Sequence, residues 1–456
     1  MLIAACVTGC PSGEEEPAEP RAQPIPTVRI LVIDDQPLAD AMKQEWVAAG
    51  RGDLQVRVAS LESLSQAKRL AADCIVYPSG LLGELAQRQL IVPVPNETLA
   101  SETLNRGDFF PLVRMRETAW GKNIYAVPLG SPSIVLLYRQ DLLDELDRQP
   151  PQTWAQYQEL LDLLEQSDSV EANGHAEWQP AIEPLAGDAA AEMLLARAVG
   201  YARRPHSISV LFDYETMEPQ ITQPPFVRAL RELVDANRAQ PEMLAATHVD
   251  AREALLTGKC AMALTWPSNN SPEYAKELPI ACAPLPGADA VYNSQSNEWE
   301  PATPSSQATL LGVSGRLASI TSSARHTGAA AAALKWLASA DVSRAISLPN
   351  PACSLCRGTQ VSQGDDWVAK EYGDAGQQYA AVLEEEKSRR LWCFSPRIPG
   401  RARYLEALSD AVRAAVAGEK SPETALADAA DRWREITADF GSDAQRDAYA
   451  HSLGID

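Results

Sequence analysis

Two adjacent carboxylates, Asp34 and Asp35, follow directly on the apolar run Val28–Ile33. Such a pair can share a proton, hold a cation or accept hydrogen bonds from hydroxyl groups. Hydrolysis at the pair would need a second acid or a metal placed opposite. The 456 residues contain no Gly-x-Ser-x-Gly elbow, His-x-x-x-His pair or Walker loop, and the five histidines, His175, His206, His248, His326 and His451, are scattered. The expectation is a protein that is not an enzyme and carries neither metal nor cofactor. Tyr77 and Ser79 stand at the end of another apolar run, Cys74 to Tyr77. Ligands of open α/β sheets sit at the carboxyl ends of the strands, which puts Asp34, Asp35, Tyr77 and Ser79 on one rim. Either aspartate would also serve as a helix cap, and Tyr77 as a core aromatic.

The elements that must hold this rim are legible in the pattern. Val28 to Ile33 reads as a strand, Leu38 to Ala49 as a helix stopped by Gly50, Leu54 to Val58 as a second strand, and Leu61 to Leu70 as a helix. Cys74 to Tyr77 reads as a third strand and Gly80 to Gln89 as a further helix. Strand and helix alternating at this spacing predict a parallel sheet with crossover helices. One core seldom grows past ~250–300 residues, so the length implies two lobes. Hydrophobic residues at 45% and charged residues at 22% fit a folded chain. Lys plus Arg less Asp plus Glu is 40 − 61 = −21, which excludes a nucleic-acid binder and a polybasic membrane-surface protein. No apolar run after the N-terminus approaches the ~18 residues of a spanning helix.

Ile30 to Pro37 resembles the first strand of response-regulator receivers, where paired acids hold a cation. A receiver needs a phosphoacceptor aspartate after its third strand, and here that strand ends in Tyr77-Pro78, so the reading is rejected.

The N-terminus, Leu2 to Gly9, is apolar and closes in Val7-Thr8-Gly9-Cys10. This resembles the lipobox of bacterial lipoproteins, which implies cleavage before Cys10, a lipid on its thiol, and anchoring on the periplasmic or outer face of a membrane. The segment has no basic n-region and a short h-region, which points to a true start upstream of Met1. Residues 1–10 are thus a truncated signal. Residues 11–26, rich in Pro, Glu, Ser and Gly, form a disordered tether, with ordered structure expected from Thr27. Six cysteines lie beyond the leader: Cys74, Cys260, Cys282, Cys353, Cys356 and Cys393. In an exported chain they permit three disulfides of undetermined connectivity. Cys260 and Cys282 sit on two apolar segments expected to be adjacent strands, and are expected to pair. Cys353-Ser354-Leu355-Cys356 follows Pro349-Asn350-Pro351 in a loop without a βαβ context or nearby histidine, so a structural disulfide, with Cys393 as candidate partner, is expected over a redox or zinc role.

From Asn123 onward, four segments carry a family resemblance. Asn123-Ile124-Tyr125-Ala126-Val127-Pro128 leads into Leu136-Leu137-Tyr138-Arg139-Gln140-Asp141-Leu142 and Pro150-Pro151-Gln152-Thr153-Trp154. Gly258-Lys259-Cys260-Ala261-Met262 precedes Trp266, Gly312-Val313-Ser314 precedes an Ala-rich helix, and Pro396-Arg397-Ile398-Pro399 precedes Ser421-Pro422-Glu423-Thr424-Ala425-Leu426. In this order they resemble the maltose-binding-like extracellular solute-binding proteins of ATP-binding-cassette importers. Arg139 departs from the family's usual Asn.

The resemblance implies a two-lobed α/β periplasmic-binding-protein fold, each lobe a mostly parallel sheet flanked by helices, with crossing hinge strands between them. The first lobe would be 27–132 plus 305–348 and the second 133–304 plus 349–456. Crossings are expected near Val127 to Ser133, in the poorly periodic Pro284 to Ser306, and near Leu348 to Pro351. The implied ligand residues are Asp34, Asp35, Gln36, Tyr77, Ser79, Ser131, Ser133, Trp266, Asn269, Trp299 and Trp392. Aromatic faces take sugar C–H surfaces while acids, amides and hydroxyls take sugar hydroxyls, so a neutral sugar is the expected solute. The partners implied are that solute, the permease subunits and the membrane through the lipid. The alternatives are a tethered sensor uncoupled from import, or a binder of polyols, polyamines or phosphate esters. Trp46, Trp154, Trp336 and Trp433 fall in helix patterns and are expected in the core.

Overall fold

The computed structural model describes residues 27–166, 178–203, 209–237 and 244–455. The lipobox with Cys10 and the tether expected at 1–26 lie outside the described residues.

Strands are numbered along the chain. The first sheet runs in the order β2 (Leu54–Ala59), β1 (Val28–Ile33), β3 (Cys74–Pro78), β15 (Arg316–Thr321) and β4 (Ile91–Val92), with β7 (Val127–Gly130) also paired to β15. The second runs β11 (Ile280–Ala283), β8 (Val135–Arg139), β10 (Cys260–Thr265), β9 (Gln179–Ile182). Three two-stranded pairs complete the set: β5 (Ala119–Trp120) with β6 (Asn123–Ile124), β12 (Ala288–Asn293) with β13 (Glu298–Ser306), and β14 (Thr309–Leu311) with β16 (Trp392–Phe394).

The sheets are mixed, not mostly parallel. β1 pairs in parallel with β2 and β3, and β9 with β10. β15 runs antiparallel to β3, β4 and β7, and β8 antiparallel to β10 and β11. The cause is the connectivity. A strand that enters a lobe from its neighbour, as β8 and β15 do, runs away from the junction, whereas β1, β3, β7, β9, β10 and β11 end at it. The carboxyl ends of both sheets therefore meet at one seam, the position where open α/β sheets bind ligands.

The chain crosses the seam between β7 and β8, again between β11 and β15, and a third time between helix Ala340–Ser347, packed on helix Gln36–Ala48, and helix Ala375–Glu386, packed on β11. The aperiodic stretch in the second crossing forms the β12–β13 hairpin, with Tyr292 opposite Trp299 and Asn297 in the left-handed region at φ 57°. Its strand β13 is largely exposed on both faces, so no alternation marks it.

Helix starts follow the side chains at hand. Asp35, Thr153 and Ser421 each accept a backbone N–H of the first turn, and Thr247 forms a reciprocal capping box with Asp250. Trp46, Trp154, Trp336 and Trp433 are all buried, Trp46 meeting Trp336 edge to face at 4.9 Å. No helix among the described residues is long and apolar enough to cross a membrane.

The expected disulfides are absent: all six described cysteines are free and buried. Cys260 on β10 and Cys282 on β11 are not neighbours, because β8 lies between their strands. Two strand spacings separate them by about 10 Å, beyond the ~7 Å Cα limit for a bridge. Cys353, Cys356 and Cys393 instead pack as small apolar groups. Burial raises the thiols of all three to about 12, which leaves them protonated and inert.

Candidate functional site: the seam between the lobes

The first-lobe wall begins where β1 ends. Asp34 is exposed in a left-handed turn (φ 49°) and accepts the Leu61 N–H at 2.8 Å. Asp35 turns inward and is 4% exposed. Its carboxylate caps Leu38 N–H at 3.1 Å, accepts Arg316 Nε at 2.8 Å from β15, and accepts the Asn350 side-chain amide. Gln36 is exposed and donates to Asp40 at 2.9 Å. Ser79 Oγ donates to the Ser314 carbonyl at 2.9 Å. Next to it, Gly80 is obligatory: a Cβ there would sit 2.4 Å from Arg401 Nε of the opposite wall. The walls are in contact at this point.

The second-lobe wall comes from three helix starts and the end of β10. Helix Ala189–Ala202 brings Asp188 and Glu192, helix His248–Thr257 brings His248, helix Arg401–Val416 brings Arg401, and Trp266 follows β10. Arg401 reaches Asp188 at 3.3 Å, Glu192 at 3.8 Å and the Gly312 carbonyl at 3.3 Å. His248 Nε2 lies 4.0 Å from Glu192, its Nδ1 3.1 Å from Thr265 Oγ1, and its ring 4.3 Å from that of Trp266. Trp266 Nε1–H donates to the Pro351 carbonyl. The chain Asp35–Asn350–Pro351–Trp266 thus joins the two walls through the third crossing.

Burial sets the charge state of the second wall. It pushes the Glu192 carboxyl up to about 8, outweighing nearby Arg401, and Asp188 adds to the rise. It pulls His248 down to about 3, helped by Arg252. At neutral pH Glu192 carries its proton and His248 is a neutral ring. Arg401 Nε and His248 Nε2 are buried without a hydrogen-bond partner. This wall can donate and accept hydrogen bonds beside an aromatic face, with the cations Arg401 and Arg252 next to it. Among the described residues no group of His, Cys, Asp and Glu could hold a metal ion.

The remaining expected residues divide. Ser131 lies in the first crossing and donates to Glu117 at 2.6 Å. Ser133, in the same crossing, donates its backbone N–H to Tyr379 OH at 3.4 Å. It lines a pocket of about 500 Å³, mouth included, between the first two crossings, with Leu285, Gln307 and Glu386. Asn269 is exposed beyond Trp266. Tyr77 is fully buried in the first sheet, its hydroxyl 2.7 Å from Ser319 Oγ. Trp299 sits on the hairpin against Tyr201, nine residues and so ~14 Å along the helix from Glu192. Trp392 is on β16, with Arg116 and Arg203 over its ring. The structure therefore gathers Asp35, Ser79 and Trp266 at the seam, with Asp34 and Gln36 on its first-lobe side, and holds Tyr77, Trp299 and Trp392 apart from the wall of Glu192, His248 and Arg401. Glu192, His248, Arg401, Arg316 and Asn350 escaped the sequence reading. Glu192 left one signal, a lone carboxylate inside the apolar run Ala189 to Val199.

Comparison with known proteins agrees with this architecture. The family model for bacterial extracellular solute-binding proteins matches residues 42–343. An ABC transporter solute-binding protein from Agrobacterium radiobacter K84, solved with ribitol, superimposes with a TM-score of 0.67 at 17% identity, covering 91% of this chain and 100% of that one. Maltose-bound MalE3 of T. maritima gives 0.66 at 16% identity, covering 90% and 99%. The sugar-binding protein MalE of Xanthomonas citri gives 0.66 at 18%, covering 91% and 98%. Among curated protein sequences nothing matches. At these identities the likeness shows the fold, the two-lobed periplasmic-binding-protein fold. The family model spans more than half of the chain, and with it the conclusion follows: this chain belongs to the bacterial extracellular solute-binding proteins.

Proposed function

We propose that the chain captures a small neutral solute, a sugar or polyol, in the seam and hands it to an ABC permease by hinge closure, without chemical change. The observation that carries this reading is the second-lobe wall. Neutral Glu192 and His248 stand beside Trp266, with Arg401 Nε and His248 Nε2 still free to bond. Uncharged donors and acceptors next to an aromatic face suit hydroxyl and C–H surfaces together. Solved relatives carry ribitol, D-mannitol and maltose in this fold. The lobes are taken as 27–132 with 305–348 and 133–304 with 349–456. Ligand contacts are placed on Trp266, Glu192, His248, Arg401 and Asn269 from one lobe and on Asp34, Gln36 and Ser79 from the other. A solute touching both lobes favours the closed state by its differential affinity. Cys10 would carry the lipid that tethers the chain at the membrane.

A thermal-shift panel of sugars, polyols, polyamines and phosphate esters tests the reading, since a ligand of the native state raises the Tm by mass action. A rise with one sugar or polyol, lost in Trp266→Ala, is expected. Stabilisation by polyamines alone would overturn the solute class and leave the fold intact.

A further inference from the structure

Away from the Glu192 wall, helix Ser442–Leu453 covers a pocket of about 400 Å³, mouth included, that solute capture does not use. Arg203, Trp392, Ser395, Arg397 and Tyr449 are among its walls. Arg203 is 9% exposed, and its Nε and Nη1 have no hydrogen-bond partner. Ser395 Oγ, on the same wall, is buried and has none either. The Arg203 guanidinium lies 5.8 Å and that of Arg116 4.8 Å from the centroid of the Trp392 ring, so the indole carries two cations. Arg397 spends its N–H groups on neutral oxygens only. These are Ser452 Oγ at 3.1 Å and the carbonyls of Arg116, Glu117, Ala119 and Ser452 at 3.0–3.5 Å.

Among the described residues no carboxylate lies within ion-pair distance of Arg116, Arg203 or Arg397. Glu117, the acid that acts electrostatically on Arg397, is engaged by Lys387 at 3.4 Å and Ser131 at 2.6 Å. Burial brings Arg397 down to about 9, and Arg116 repels it further. Arg203 is lowered by burial, and Arg116 again contributes. In a chain of net charge −21, the under-compensated guanidinium groups of Arg203 and Arg397 line one cavity, and that of Arg116 lies over the ring of Trp392 in its wall. Cations withdrawn from water without a counter-charge are costly unless something anionic satisfies them.

We propose that this pocket binds a small oxyanion group, a phosphate, sulfate or carboxylate, held by the free N–H groups of Arg203 and by Ser395 Oγ, with Arg116 completing the cage across Trp392. Guanidinium donors suit such oxygens, and charge-assisted bonds are the stronger class. The site lies where helix Ser442–Leu453 also touches first-lobe elements, Gly121 N–H donating to His451 O at 3.0 Å. An anion here would therefore fasten that helix.

The test is calorimetric titration of the full chain with inorganic phosphate and with sulfate, against chloride at equal ionic strength. Tm and tryptophan fluorescence are followed in parallel. Saturable binding of phosphate or sulfate is expected, with at least a tenfold rise in Kd in Arg203→Gln and a severalfold rise in Ser395→Val. Glu192→Gln and Trp266→Ala leave anion binding unchanged, which separates this site from the seam. If Arg203→Gln fails to fold, Ser395→Val decides. A response no greater than that of chloride, or equal binding by all variants, overturns the proposal.

Discussion

The two walls of the seam use their polar groups in opposite ways. On the first-lobe wall they are spent on the protein itself. Asp35 holds Leu38 N–H, Arg316 and Asn350, and Ser79 holds Ser314. On the second-lobe wall they are left with capacity. Glu192 is kept neutral, His248 is kept neutral, and Arg401 Nε and His248 Nε2 are unpaired. A buried polar group satisfied by the fold contributes to stability, whereas one left unsatisfied weakens the empty fold and rewards a partner. The first wall therefore reads as architecture that fastens the hinge root, and the second as the surface that selects the solute.

The comparison breaks most visibly at Arg316. Arg316→Met strands the Asp35 carboxylate and should cost about 3–5 kcal/mol, the range for breaking a buried ion pair, read as a lower denaturant midpoint. If Glu192→Gln destabilises as much, the two walls do not differ. The next effect is on binding. Arg401→Gln and Trp266→Ala should weaken capture of whichever sugar or polyol the panel identifies by tenfold or more, about 1.4 kcal/mol each, while Gln36→Ala changes it less than threefold. Equal losses from both walls would contradict the assignment.

A smaller and sharper test is pH. Glu192 is raised from 4.5 to about 8, so its contribution to stability is complete below pH 4.5 and is lost as pH rises towards 8. His248 is lowered from 6.5 to about 3, so its contribution is present above pH 6.5 and is lost as pH falls towards 3. Between pH 4.5 and 6.5 the two slopes oppose each other. Glu192→Gln should flatten the alkaline fall in Tm between pH 6.5 and 8, and His248→Asn the acid fall. An unchanged profile in both variants would remove these groups from the buried wall. The smallest effect expected is none: with six buried free thiols, reducing agent should leave the Tm unchanged, and a fall of several degrees would reveal a disulfide.

Much of the frame was readable beforehand because it rests on local chemistry. Asp35 before an amphipathic helix, Gly50 stopping it at φ 61°, and Ser421-Pro422 opening another are signals contained in a few residues. The hairpin at 288–306 leaves no periodic signal in the sequence, because both faces of β13 see solvent. The separation of Cys260 from Cys282 is not legible locally because strand order is a long-range property: the strand between theirs, β8, comes more than a hundred residues earlier in the chain.

The order of short segments by itself determined the class of protein, two α/β lobes around a solute seam, because periodicity, caps and motif order act at close range. Which side chains face that seam was decided only by tertiary structure. Glu192, His248 and Arg401 come from three distant helices, and their charge states arise from mutual burial. Desolvation belongs to the assembled surroundings, and no residue carries it alone.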